Sequence, residues 1–442
     1  MPKRFNSVLY LKFVNWCLLV ICYLFIGISE SYTQDTLNSK TVEERSYSLC
    51  QEKKWNELIE FGDLAVKNNF DYYYLRLRIG IAYYEKKNYR AAQKHFWKAY
   101  QFNSSDDVLN EYLYYCYIYN AQYYEARKFS KTLSPVLAQK LKTDSLSLID
   151  FLMLEGGAKT TSKSSLSNAF YGQIGLGHRL GKNVSFFHAV TLFNQKGGMN
   201  DLDQKQYYIA SAIPVKKSWL VTPAFHFLNT TKAITNVWFK KDTLWPPGMP
   251  HVPPPPWAPP LRVDSTPMAT TRSVRANYFI ASMEIKKSIS KLDVGICGTV
   301  SNIDSINQAQ GNLFISYFPL GNPKLSFTSN GFVQREDGKN IPVDNRYAFS
   351  QSVAVTIFKK INLSGSYLYN EAHHFNELNG YLANNSNDLT TSRFSFMGTM
   401  YLSRHINFYL IYQLENKELG NPKQKTSTYT YNNFFGGIKF IL

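Results

Sequence analysis

The chain has 442 residues, enough for two or more domains, and a formal net charge of +17, with 32 Tyr and 30 Phe. A balance this basic suits nucleic acid, acidic polymers or anionic lipid. No Arg/Lys cluster or nucleic-acid motif accompanies it, so nucleic acid is not an expected partner.

Lys3, Arg4 and Lys12 precede an apolar run from Phe13 to Ile28, and Gly27, Ser29 and Ser31 supply small residues for cleavage. This pattern reads as a signal peptide over 1–31. A retained anchor is the alternative, but the run is shorter than the ~20 residues a spanning helix needs and contains Asn15. Cys17 and Cys22 lack the small preceding residues of a lipoprotein. Cys50, Cys116 and Cys297 are isolated, which argues against a disulfide framework and for structural burial of each.

Residues 32–145 read as helical and repetitive. Trp55, Tyr89 and Tyr123 are spaced by 34, and so are Leu58, Ala92 and Ala126. The middle unit is clearest, with Ile79-Gly80, Tyr83, Tyr89, Ala92, Phe96 and Ala99. It resembles the tetratricopeptide (TPR) pattern, whose signature is this period. Units at 39–72, 73–106 and 107–140 follow. Arg76 stands where the family has Trp, and Gly62 and Ser130 where it has Phe, so the outer units are degenerate. Three units are about the minimum for a stable stack. By the family's geometry Tyr74, Tyr84, Tyr115 and Tyr119 would line a concave groove for a periplasmic protein or peptide. The competing reading is that they fill packing between helices. A helix near 135–143 is expected to cap the stack.

From about Leu148 the helical period gives way to alternating segments. Strands are expected at 148–160, 168–179, 184–194, 203–213, 219–229, 273–285, 291–302, 308–319, 324–335, 345–358, 362–372, 389–402, 406–416 and 428–442. The pattern is cleanest where Tyr347, Phe349, Val353, Val355 and Ile357 share one face and Ala348, Ser350, Ser352, Ala354 and Thr356 the other. Apolar outside and small or polar inside is the transmembrane-barrel pattern. Every second connection is short: Leu180–Asn183, Ile213–Ser218, Lys286–Ser290, Leu320–Pro323, Lys359–Ile361 and Ser403–His405. Short periplasmic turns and longer external loops are what outer-membrane barrels show. An even strand count returns both barrel ends to the periplasm, where the repeats must lie. A soluble sandwich also alternates; it does not need export and this loop asymmetry together. The expected fold is therefore an N-terminal TPR-like α-solenoid followed by an antiparallel transmembrane β-barrel of about 14 strands over 146–442.

The largest insertion, 230–271, contains the Pro-rich core Pro246–Pro260 and reads as an external loop, extended and unable to join a ladder. Trp245 and Trp257 are its candidate contacts. His373 and His374, with Glu371, raise the question of a metal. Neighbours on a strand point to opposite faces, so no metal site is expected. No nucleophile elbow, phosphate loop or paired-carboxylate motif stands out, so no catalytic residue, cofactor or enzyme activity is expected.

The last segment, Tyr429 to Leu442, alternates Leu442, Phe440 and Ile438 against Ile441, Lys439 and Gly437. Gly437, Phe440 and Leu442 resemble the C-terminal assembly signal of outer-membrane proteins, which implies contact with the barrel assembly machinery and with outer-membrane lipid. The domain order resembles exopolysaccharide-export TPR–barrel proteins, and small TPR–barrel proteins of Bacteroidota-type bacteria. The expected role is an envelope scaffold or adaptor. The alternative is an outer-membrane transport or secretion pore for an anionic polysaccharide.

Overall fold

The structure, a computed structural model, describes residues 37–143, 148–162, 168–181, 183–196, 200–215, 218–244, 262–338, 341–383, 388–418 and 428–442. The segment 1–31 and the Pro246–Pro260 stretch, with Trp245 and Trp257, lie outside the described residues.

Seven α-helices come first among the described residues: α1 (Ser39–Gln51), α2 (Trp55–Lys67), α3 (Tyr73–Glu85), α4 (Tyr89–Phe102), α5 (Asp107–Tyr119), α6 (Tyr123–Phe129) and α7 (Pro135–Lys140). Starts of α1, α3 and α5 fall at 39, 73 and 107, and those of α2, α4 and α6 at 55, 89 and 123, so the 34-residue period is present in the backbone. The turns inside each pair repeat too. Lys53, Lys87 and Ala121 are all left-handed, with φ of 56°, 60° and 57°. Just after them, Lys54, Asn88 and Gln122 donate their N–H to Leu49, Tyr83 and Tyr117 carbonyls, closing the end of each first helix. Asn38, Asn88, Asp106 and Ser134 accept backbone N–H groups at the starts of α1, α4, α5 and α7.

Close helix approach explains two glycines. A Cβ on Gly80 would stand 2.4 Å from the Phe96 ring, and one on Gly62 2.5 Å from Ile79. Arg76 is buried, with two hydrogen bonds to Asp71 at 2.7 and 2.8 Å, and it donates to His95 Nδ1 at 3.3 Å. An ion pair thus occupies the place where the repeat pattern has an aromatic ring.

The barrel has fourteen antiparallel strands in a closed ring. They are β1 (Ile149–Thr161), β2 (Ala169–Leu180), β3 (Val184–Gln195), β4 (Asn200–Pro214), β5 (Trp219–Leu244), β6 (Arg262–Ile289), β7 (Leu292–Ser301), β8 (Asn307–Tyr317), β9 (Leu325–Gly338), β10 (Ile341–Ile357), β11 (Ile361–Ala372), β12 (Leu389–Tyr401), β13 (Ile406–Glu418) and β14 (Thr428–Ile441). The ring closes through β14 on β1, with Phe440 opposite Leu152 and Gly437 opposite Glu155.

One expectation is corrected. Most of 230–271 is not loop: β5 and β6 continue to Leu244 and from Arg262, pairing rung by rung from Trp219–Lys287 to Leu244–Arg262. On β6 the far portion is exposed on both faces. Every residue from Thr266 to Arg275 is exposed. A strand with one environment on both faces has no reason to alternate, so the period-2 signal is absent there.

The outer wall is apolar. Tyr347 is 57% exposed while its neighbour Ala348 is 5% exposed, and Phe349, Val353, Val355 and Ile357 also face out. Phe434, Ile438 and Leu442 share that outer face, while Lys439 points inward, 3.6 Å from the centre of the Phe151 ring.

Candidate functional site

Two features define the inside and one end of the barrel. The first is the seam between helices and rim. Arg90, at the start of α4, donates to Asp293 Oδ1 at 2.8 Å and to the Ser290 and Leu292 carbonyls, and it lies 3.8 Å over the Phe318 ring. Its backbone N–H bonds Gly321, and Asn322 donates to the Lys87 carbonyl. On α6, Arg127 holds Asp150 of β1 at 3.0 Å and Ser185 of β3 at 2.5 Å, and Lys128 reaches the Pro214 carbonyl of β4. Arg179 of β2 shares Asp150 at 2.9 Å. All these contacts are on the short-turn end. In a fourteen-strand ring β1 lies opposite β8, so the helices bridge the mouth across its width. Burial against this rim pushes the Glu125 carboxyl upward.

The second feature is the β11–β12 connection, expected as an external loop. It turns inward and crosses the lumen. Two short strands, Asn376–Glu377 and Leu382–Ala383, pair as a hairpin. Its tip, Leu378, Asn379 and Gly380, is left-handed at φ of 50°, 56° and 76°. Asn379 donates to the Thr222 carbonyl of β5 at 2.8 Å, and its own carbonyl accepts from Ser282 of β6 at 2.7 Å. His226 of β5 donates from Nδ1 to the Gly380 carbonyl at 2.9 Å. Gln310 of β8 makes a two-way bond with the Asn376 backbone at 2.7 and 3.0 Å. Gln173 of β2 bonds the Tyr381 hydroxyl, Cys297 of β7 touches Asn379, and Arg393 of β12 pairs with Glu377. Since β5 lies opposite β12 in the ring, the hairpin spans the interior. The Asn379-Gly380 pair is a hairpin signal legible in the sequence; nothing local shows that the hairpin turns inward.

Four cations of the lumen are matched by acids, while Lys439 and Lys417 also lie inside with no ion pair of their own among the described residues. Lys232 pairs with Asp304, Arg346 with Glu336, Arg393 with Glu377 and Lys159 with Glu415. The positive balance of the chain is thus not presented as a bare cationic channel by these four groups.

Of the groove candidates, Tyr84, Tyr115 and Tyr119 gather with Tyr89 and Tyr112, with ring centroids 4.7 to 6.2 Å apart. Tyr84 and Tyr115 are half-buried in that cluster, and Tyr119 is exposed. Tyr74 is exposed and stands apart, against Tyr73 and the Arg78 guanidinium. Gly437 sits against the Tyr409 ring, Phe440 is on the β1 ladder, and Leu442 donates its N–H to the Asp150 carbonyl.

His373 and His374 do not diverge as neighbours on a strand would. His374 is left-handed at φ 50°, beyond the end of β11, and this turns the two rings to one side, centroids 3.9 Å apart. Both approach Glu336 of β9, making the one group of three His, Cys, Asp or Glu side chains among the described residues whose ligand atoms lie within 4.8 Å of one another. The Glu371 side chain is outside the described residues.

No protein family and no curated protein matches the chain. Solved structures with a similar fold include the Pseudomonas putida toluene transporter TodX, at 7% identity and TM-score 0.44, covering 70% of this chain and 92% of that one. A Pseudomonas aeruginosa FadL homologue matches at 8% identity and TM-score 0.41, over 66% and 90% of the two chains. A bacterial polysaccharide outer membrane secretin matches at 7% identity and TM-score 0.37, over 66% and 99%. At these values the likeness is distant and concerns barrel shape.

Proposed function

We infer that this chain is an outer-membrane anchor carrying a TPR-like periplasmic interaction module, an envelope scaffold and not an open pore. Support for membrane insertion comes from the closed ring and the broad apolar wall. Lipid offers no partner for a free strand edge, and large apolar surfaces are rare on soluble monomers. Support for the TPR-like reading comes from the 34-residue recurrence of helix starts and of the left-handed turn residues.

The observation that carries the scaffold reading is the hairpin at 376–383, pinned across the lumen by bonds to facing strands, below helices that bridge one mouth. A pore for an anionic polymer draws less support, since four of the lumen cations named above are each paired with an acid. The chain acts through what its module holds. Exposed Tyr74 and Tyr119 offer apolar area with a hydroxyl, suited to a peptide surface.

A photo-crosslinking residue at position 74 or 119 of the full-length chain tests this in intact cells. One periplasmic protein common to both positions, and absent from position 353 on the outer wall, is the expected result. No protein adduct at either position, with the chain correctly inserted, contradicts the scaffold role.

A further inference from the structure

Three metal-ligating side chains from distant parts of the sequence converge inside the barrel. Glu336 lies near the end of β9, and His373 and His374 begin the segment that enters the lumen. Their ligand atoms all lie within 4.8 Å of one another. His373 Nδ1 is 2.9 Å from Glu336 Oε1, and His374 Nδ1 is 3.8 Å from that oxygen. Ligands on a tetrahedral ion with bonds of about 2.0–2.2 Å stand roughly 3.3–3.6 Å apart. Shifts of a few tenths of an ångström bring these two spacings into that range, and the two imidazoles, within 4.8 Å of each other, close on the ion as well.

His374 supplies the second observation. It is 1% exposed, its Nδ1 makes no hydrogen bond, and its Nε2 has only a long contact to Asp304. An unsatisfied buried polar group costs about 1–3 kcal/mol, so a ligand for it is expected. Its Nε2 faces Asp304 Oδ2 at 3.4 Å, leaving Nδ1 toward Glu336. Asp304 is fixed by Lys232 Nζ at 2.6 Å. Carboxylate, imidazole and ion in that order is the arrangement that sets the tautomer of a metal-bound histidine. Glu336 is itself oriented, with Gln334 donating to Oε1 at 2.9 Å and Arg346 to Oε2 at 3.2 Å. A carboxylate has about four acceptor sites, so Oε1 retains one for an ion.

We propose that Glu336, His373 and His374 bind one divalent transition-metal ion of the Zn²⁺ class, which latches the lumen hairpin to the barrel wall, with Asp304 positioning His374. Two imidazoles and a carboxylate suit Zn²⁺, whereas Mg²⁺ and Ca²⁺ prefer all-oxygen sites. On binding, any proton held between His373 Nδ1 and Glu336 leaves to solvent, and the ion bonds neutral imidazole and ionised carboxylate. The site does not depend on the scaffold reading, since it belongs to the hairpin whether the barrel anchors or conducts.

The test uses tag-free full-length protein in detergent micelles, stripped with chelator and titrated with ZnCl₂. His188→Gln is the background, because the His178 and His188 Nε2 atoms lie 2.8 Å apart near the barrel rim and could bind zinc on their own. One equivalent should bind, with X-ray absorption showing two imidazole ligands, and equimolar Mg²⁺ should not compete. His374→Ala and Glu336→Gln should each weaken binding roughly tenfold or more, and Asp304→Asn by roughly 10–100-fold. Folding of each variant is read from its heat-modifiable gel mobility, and His373→Gln replaces any that fails to fold. Equal Zn²⁺ affinity in wild type and folded cluster variants, or no stoichiometric binding in the His188→Gln background, overturns the proposal.

Discussion

Arg90 and Asp293 are 203 residues apart in the chain and 2.8 Å apart in the fold, in an ion pair with Arg90 buried at the seam between helices and barrel. Removing one partner of a buried pair strands the other charge, at about 3–5 kcal/mol. Arg90→Ala should therefore loosen the module from the rim without unfolding the barrel. Hydrogen exchange checks this: the Arg90 amide, bonded to the Gly321 carbonyl, should lose protection while the β10–β11 ladder keeps it.

His95 should make the helical module acid-sensitive. Burial, with the Arg76 guanidinium beside it, lowers its pKa from 6.5 to about 3. Below about 6.5 the unfolded chain takes up a proton that the folded one refuses, so stability is full above that pH and falls as the pH drops toward 3. The slope approaches roughly 1.4 kcal/mol per pH unit. Asp71, held low by its bond to Arg76, adds a further loss only at lower pH. Glu125, pushed up by burial, acts in the opposite sense. His95→Gln should flatten the dependence of helical melting between pH 6.5 and 4, while the Asp71–Arg76 bond, the main cause of the low Asp71 pKa, stays in place.

The hairpin tip rests on a glycine. Gly380 has φ +76°, and a Cβ there would stand 3.1 Å from Ser282 Oγ and 3.2 Å from Ile280 Cγ2. Gly380→Val should cost about 1–2 kcal/mol through the left-handed backbone alone. Cys297, buried beneath Asn379, reports the opening. In a Cys50→Ser, Cys116→Ser background, alkylation of Cys297 should speed up roughly tenfold, since about 1.4 kcal/mol is tenfold in an equilibrium.

At the seam of the ring, a Cβ on Gly437 would meet the Tyr409 hydroxyl at 2.4 Å, its ring at 2.5 Å and the Leu154 carbonyl oxygen at 2.8 Å. Gly437→Val should reduce the heat-modifiable folded fraction. Deleting Phe440 to Leu442 removes the rungs to Phe151 and Leu152 and the bond from Leu442 to Asp150. That truncation should fail to assemble, and normal membrane levels of it would contradict the closure role.

How much could be read beforehand depends on how local each signal is. The strands of β10 were legible because Tyr347 and Ala348 face different media. The 34-residue period was legible because small residues recur where helices touch. The extension of β6 was not, because both faces of Thr266–Arg275 meet water. The Glu336, His373 and His374 cluster was hidden by one left-handed residue, which cancels the alternation a strand imposes. Arg90 looks like any basic residue at a helix start, and its partner is set only by barrel closure.

The central claim is a closed barrel plugged by its own hairpin, and planar-bilayer recording of the full-length chain tests it most directly. Wild-type protein should insert without conductance steps, while the chain lacking 376–383 should show them under the same conditions. Steady wild-type conductance equal to that of the deletion would contradict the account.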